Sequence, residues 1–205
     1  EIVLMVETAR ADFTGDSKSD ILWRNDDGSV TTWNSTGPGF VPGGNSYPVG
    51  LDWRIAGNGD FDADGTDDLL WRHADGSLTY WLGDASGFTT ASGYFTTLGA
   101  EWQVQGVADF DGDGTDDILW RDDNGDVTAW TGTGSGFDNS AFARENAGAE
   151  WQVAGTGDVT GGGNADIVWR SDSGWVNVWT SDGTSFSRVT GFDAFVGTDW
   201  QIAGT

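Results

Sequence analysis

Tryptophan recurs along this chain at a fixed interval. Trp23, Trp71, Trp120 and Trp169 lie 48, 49 and 49 residues apart, and Trp33, Trp81, Trp130 and Trp179 repeat those intervals. Trp53, Trp102, Trp151 and Trp200 are spaced by 49 throughout. A fixed period near fifty residues means that one supersecondary unit is built repeatedly, each copy burying its apolar face on a neighbour. The 205 residues are therefore read as one repeat domain over 11–205, preceded by an N-terminal strand or linker at 1–10. The units fall near 11–58, 59–107, 108–156 and 157–205. Hydrophobic content is only 37%, with 33 Gly, but 13 Trp and 11 Phe supply a core. A large aromatic ring buries roughly 150–250 Å².

Each unit reads as short strands. In Trp-Gln-Val-Gln-Gly (102–106), alternation places Trp102, Val104 and Gly106 on one face and Gln103 and Gln105 on the other. The run 116–121 is apolar on both faces, as in a strand packed on both sides. Asp75-Gly76 and Asn124-Gly125 then mark hairpin turns before alternating strands at 78–81 and 127–130. Gly- and Ser-rich stretches carrying Phe40, Phe88, Phe137 or Phe186 lead to a fourth strand. No segment shows a capped 3.6-residue period. The pattern predicts an all-β fold, a β-propeller of four 49-residue, four-stranded blades, with a fragment of a larger ring as the alternative. Residues 199–205 begin a further copy of the Trp-Gln-Ile-Ala-Gly strand, whereas Met5, Glu7 and Ala9 stand where Trp53, Ile55 and Gly57 stand in the next unit. The C-terminal segment is therefore expected to close the ring by completing the first blade.

Before each Trp-Arg pair lies an acidic, glycine-punctuated loop. GDFDADGTDDLLWR (59–72) returns as ADFDGDGTDDILWR (108–121), with altered copies at 11–24 (ADFTGDSKSDILWR) and 157–170 (GDVTGGGNADIVWR). Hard cations such as calcium take six to eight oxygen ligands, and acidic residues at alternate positions of a tight loop converge on one point. The second unit offers Asp60, Asp62, Asp64, the Thr66 carbonyl and Asp68; the third offers Asp109, Asp111, Asp113, the Thr115 carbonyl and Asp117. An EF-hand would need Glu at loop position 12, where Trp71 and Trp120 stand instead. Zinc lacks its usual ligands, since the chain has no Cys and one His.

These loops resemble the calcium loops of FG-GAP (VCBS-like) repeats, the blades of integrin-type β-propellers, over all four units. The resemblance implies calcium in the loop between the first two strands of a blade. Carried over residue by residue, the second and third units match in full. The first keeps Asp12, Asp16 and Asp20 but has Thr14; the fourth keeps Asp158 and Asp166 but has Thr160 and Gly162.

Net charge bounds the partners. At −24, from 33 acidic and 9 basic residues, the chain is unsuited to nucleic acid or anionic membrane surfaces, and no apolar run approaches the ~18 residues of a membrane span. The start at Glu1, with no signal peptide in view, suggests a processed piece of a longer, secreted protein. Arg24, Arg72, Arg121 and Arg170 follow the marker Trp in every unit and are read as structural partners of carboxylates or loop carbonyls, with ligand contact as the alternative. Most Trp residues are read as packing between blades; Trp33, Trp81, Trp130, Trp179 and the out-of-register Trp175 are candidates for stacking on sugar rings. His73 occupies a variable turn position, and no catalytic constellation is present, so the chain is expected not to be an enzyme. The expectation is a secreted calcium-binding recognition or adhesion module facing a glycan or extracellular protein surface, as a monomer or a homodimer through its terminal strands. A lectin with sugar sites between blades is the alternative, and a domain of a polysaccharide-degrading enzyme a distant one.

Overall fold

The computed structural model describes residues 11–90 and 96–204, so the reading of 1–10 as a strand or linker lies outside the described residues. They divide into two compact units, one running to Ala100 and the other starting at Glu101. The first unit holds two sheets. Sheet 1 is β1 (Ile21–Arg24), β2 (Val30–Ser35) and β3 (Phe40–Pro42). Sheet 2 is β4 (Trp53–Gly59), β5 (Asp68–His73), β6 (Ser77–Asp84) and β7 (Gly87–Thr90), with short β8 (Thr96–Thr97) also on β6. In the other unit, sheet 3 is β9 (Trp102–Ala108), β10 (Asp117–Asp122), β11 (Asp126–Gly132) and β12 (Phe137–Asp138), with β13 (Glu145–Asn146) also on β11. Sheet 4 is β14 (Trp151–Gly157), β15 (Asp166–Ser171), β16 (Trp175–Ser181) and β17 (Phe186–Phe195). All pairings are antiparallel and every described element is a strand, which is the tandem-sheet pattern of propeller blades.

Register explains the tryptophan period. Ile21 pairs with Trp33 and Trp23 with Thr31, so the two indoles are diagonal neighbours on one face. The same pair recurs in each sheet with ring centroids 5.0, 4.9, 5.1 and 5.3 Å apart, tilted by 51–55°. One departure from simple alternation also recurs. Val104 pairs with Trp120 but Gly106 pairs with Leu119, leaving Gln105 as an extra residue in a β-bulge. Gly106 therefore faces away from Trp102 and Val104, correcting the alternation read from the sequence. Equivalent bulges interrupt β4 between Ile55 and Gly57 and β14 between Val153 and Gly155.

The hairpin turns behave as their glycines require. Gly76 has φ +93°, and a Cβ there would lie 2.3 Å from the Leu98 carbonyl oxygen. The same carbonyl accepts a hydrogen bond of 2.7 Å from Arg72 Nη2. Arg121 donates likewise to Gly148 and Ala149, Arg170 to Gly197 and Trp200, and Arg24 to Gly50. The marker arginines thus fasten a downstream loop to the central hairpin of their own sheet through backbone carbonyls.

Residues 200–204 carry no strand assignment, and Trp200 is 69% exposed.

Candidate metal centre

The second and third acidic loops are built on two anchors. Phe61 and Phe110, each at the second loop position, are fully buried. The last Asp of each loop, Asp68 or Asp117, is the first residue of the central strand and is also fully buried. Asp68 accepts hydrogen bonds from the Phe61 and Gly83 backbone N–H groups, both at 2.8 Å. Asp117 accepts from Phe110 at 2.7 Å and Gly132 at 2.8 Å. One carboxylate thereby ties the loop to the far end of the hairpin while keeping lone pairs free.

Around that anchor the chain turns through alternating left-handed residues. The two non-glycine residues with positive φ among those described, Ser17 and Ala63, both sit in these loops, at positions that elsewhere hold Gly. The turn presents successive carboxylates to one point. Carboxylate oxygens of Asp60, Asp62 and Asp68 lie within 4.8 Å of one another, as do those of Asp109, Asp111 and Asp117. Asp64 and Asp113 are not in these clusters. Each spends one oxygen on the Thr two residues on: Asp113 Oδ1 accepts the Thr115 N–H at 2.8 Å and hydroxyl at 2.6 Å, and Asp64 Oδ1 holds Thr66 in the same way. Thr66 and Thr115 lie buried at the junction of loop and strand.

Three full charges this close are hard to sustain. At an effective dielectric of about 20, each pair of unit charges repels by ~3.5 kcal/mol. The three pairs together rival the ~5–15 kcal/mol stability of a whole domain. Such a loop takes up a proton or a cation. Burial pushes Asp68 up to about 8, with the Asp62 and Asp60 charges adding to it against two N–H donors. Burial likewise raises Asp117 to about 7. The donor set is all oxygen and all anionic, which fits a hard divalent cation; Asp60, Asp62 and Asp68, and their counterparts Asp109, Asp111 and Asp117, are the residues that would hold it.

The other two loops solve the problem differently. In the first, Lys18 Nζ pairs with Asp16 at 2.5 Å, and Asp16 lies below its usual range chiefly for that reason. Asp12 accepts the Asp16 and Ser17 N–H groups at 3.1 and 2.6 Å, and Asp20 those of Phe13 and Ser35 at 3.0 and 2.7 Å. In the fourth, Asp158 is exposed and accepts three successive glycine N–H groups from Gly161, Gly162 and Gly163 at 2.7–2.9 Å. Thr160 donates its N–H and hydroxyl to Asp166 at 3.0 and 2.9 Å. The aromatic anchor is lost there too, since Val159 is exposed. That anchor was missed in the sequence, although Phe13, Phe61 and Phe110 mark it.

The five tryptophans considered for sugar stacking are not equivalent. Trp33 is exposed, Trp81 lies half-buried beside Tyr47 at 5.8 Å, and Trp179 packs half-buried against a core cluster. Trp130 is buried, its ring 5.1 Å from that of Trp120. Trp175 is exposed and rests edge-on against Phe195 at 5.3 Å. His73 lies at the end of β5, its ring 4.8 Å from Trp53 and its Nδ1 2.8 Å from Asp75.

Tandem antiparallel sheets, each entered through an acidic loop, define a class of repeat protein. A family model described as the FG-GAP-like repeat matches residues 60–120, a stretch holding both complete loops. No curated protein matches the chain. Among solved structures it is similar to one described as the crystal structure of BBS1N in complex with ARL6DN, soaked with mercury. That match has 15% identity and a TM-score of 0.42, covering 84% of this chain and 54% of the other; the chain thus spans about half its length. No helix among the described residues is long and apolar enough to cross a membrane.

Proposed function

We propose that the chain is a calcium-stabilised, non-catalytic recognition module of a secreted or cell-surface protein, its sheets the blades of a β-propeller. The observation that carries this reading is the convergence of three carboxylates, one fully buried, at the same place in two successive repeats. An active site is normally unique, whereas this constellation recurs with the fold. The cation's role is to hold the loop that joins the first two strands of a sheet, and the FG-GAP-like family of this stretch supports calcium as the ion. The partner would be a glycan or an extracellular protein surface. Exposed Trp33 and Trp175 keep sugar stacking as the second reading. Calorimetric titration with calcium, beside a glycan array with and without EDTA, tests both. Two ions bound per chain and a silent array support the module; sugar binding that survives variation of Trp33 and Trp175 rules out stacking at those rings, and absence of calcium binding overturns the central claim.

A further inference from the structure

The repeated packing of sheet on sheet shows what belongs on a face that the chain leaves bare. In sheet 2 the stacked indoles Trp71 and Trp81, with Phe88, are covered by sheet 1. Leu22 and Val30 pack there, and the Tyr47 ring lies 5.8 Å from Trp81 and 5.7 Å from Phe88. Arg24 lies 5.5 Å over the ring of Trp71. In sheet 4 the same face, Trp169, Trp179 and Phe186, is covered by Leu119, Val127 and Ala129 of sheet 3, with Phe110 and Phe142 against Phe186 at 5.5 and 5.0 Å. The rule is that one sheet's aromatic face receives the aliphatic face of the sheet before it.

Among the described residues, two faces have no covering sheet within their own unit. The aromatic face of sheet 1 leaves Trp23 45%, Trp33 41% and Phe40 47% exposed, while Trp71, Trp120 and Trp169 are at 1% or less. At the other end, Val176 and Val178 of sheet 4 stand at the register of Val127 and Ala129 and are only half-buried. The strand edges match in the same sense. β5, β10 and β15 each pair with a preceding strand that begins Trp-Arg/Gln-Ile/Val, whereas β1 pairs with β2 alone among the described residues. Trp200–Gly204 carries that strand's sequence and, among the described residues, joins no strand, Arg170 alone reaching its Trp200 carbonyl. Residues 1–10, by sequence, fit the missing strand poorly at Met5, Glu7 and Ala9.

We propose that the Trp23–Trp33–Phe40 face is an assembly surface whose occupant is the fourth sheet of a second copy of this chain. Residues 200–204 of that copy add to the open edge of β1. Each copy carries one such head and one such tail, so the contact is heterologous: it closes when two chains complete a ring and otherwise propagates. The junctions of sheet 1 with sheet 2 and of sheet 3 with sheet 4 already display the contact, and it does not rest on metal in the loops.

Sedimentation of the full chain in calcium across a wide concentration range tests it. A mass of two chains is expected at high concentration, falling to one on dilution. Trp23→Ser with Trp33→Ser should hold the protein at one chain with its circular dichroism unchanged, and Val178→Glu at the opposite end should do the same. If the tryptophan variant misfolds, Val178→Glu decides alone. A one-chain mass at every concentration overturns the proposal, and so does an assembly indifferent to both variants. A one-chain mass with indoles shielded from iodide overturns it in favour of closure within a single chain.

Discussion

The second and third acidic loops differ from the first and fourth by a handful of atoms, and those atoms decide what each loop needs. Where Asp62 and Asp111 stand, the first and fourth loops have Thr14 and Thr160. A threonine hydroxyl donates to the buried Asp at the loop's end, as Thr160 does to Asp166 at 2.9 Å; a carboxylate there repels it. At the seventh position the first loop carries Lys18, whose ammonium pairs with Asp16, where the complete loops have Thr66 and Thr115. The altered loops thus carry, on their own side chains, the positive charge or proton that the complete ones would need from solution. The turn itself does not depend on the full set of carboxylates, since it persists in loops that lack them.

Calcium withdrawal should break the comparison most visibly. At free calcium one hundred times the dissociation constant, each filled site stabilises by ~2.7 kcal/mol, so EDTA should lower stability by about 5 kcal/mol for two sites. Thermal melts and a titration stoichiometry of two check this; a stoichiometry of four would mean the altered loops are sites after all. Next in size is Asp117→Ala in calcium. It strands the Phe110 and Gly132 N–H groups, at roughly 1–3 kcal/mol each, and removes a ligand. Denaturant melts should show a loss of about 2–5 kcal/mol, against about 1–2 kcal/mol for Asp166→Ala, whose carboxylate Thr160 engages through its N–H and hydroxyl.

The pH response of the metal-free protein should be opposite in sign to that of an ordinary salt-bridged carboxylate. Asp68 rises from 3.8 unfolded to about 8 folded, and Asp117 to about 7. Their contribution is full below the unfolded value and is lost as pH climbs through the folded one. In EDTA the melting temperature should therefore fall between pH 4 and pH 8, and calcium should flatten that fall; a metal-free protein steadily stabilised over this range would overturn the assignment. Rebuilding the first loop with Thr14→Asp and Lys18→Thr should create a third ion site by calorimetry. Smallest is Ala63→Gly, which relieves a left-handed alanine at φ 59° and should add about 1 kcal/mol.

Much of this was legible in the sequence because it repeats. The tryptophan interval reports strand register directly: two indoles on one face of one hairpin, four times over. The acidic spacing reports the loop in the same way. What escaped were features whose cause lies outside the local pattern. The bulge at Gln105 is invisible to two-residue alternation, since it inserts a residue without changing the period. Asp64 and Asp113 each also turn one oxygen towards Thr66 and Thr115, hydrogen bonds that the spacing of the carboxylates does not announce. Trp130 and Trp33 share a register position and differ in exposure, which the local pattern does not encode.

The arginine fasteners carry a consequence for how the chain is made. Arg24, Arg72, Arg121 and Arg170 each grip carbonyls only 26 to 30 residues downstream. A nascent sheet therefore finds its fastener within its own repeat, before the next repeat has left the ribosome. Short-range closure of this kind favours fast, vectorial folding from the N-terminus, one sheet at a time. It also makes the repeat a portable unit of growth: a gene could gain or lose one without unpicking the sheets on either side.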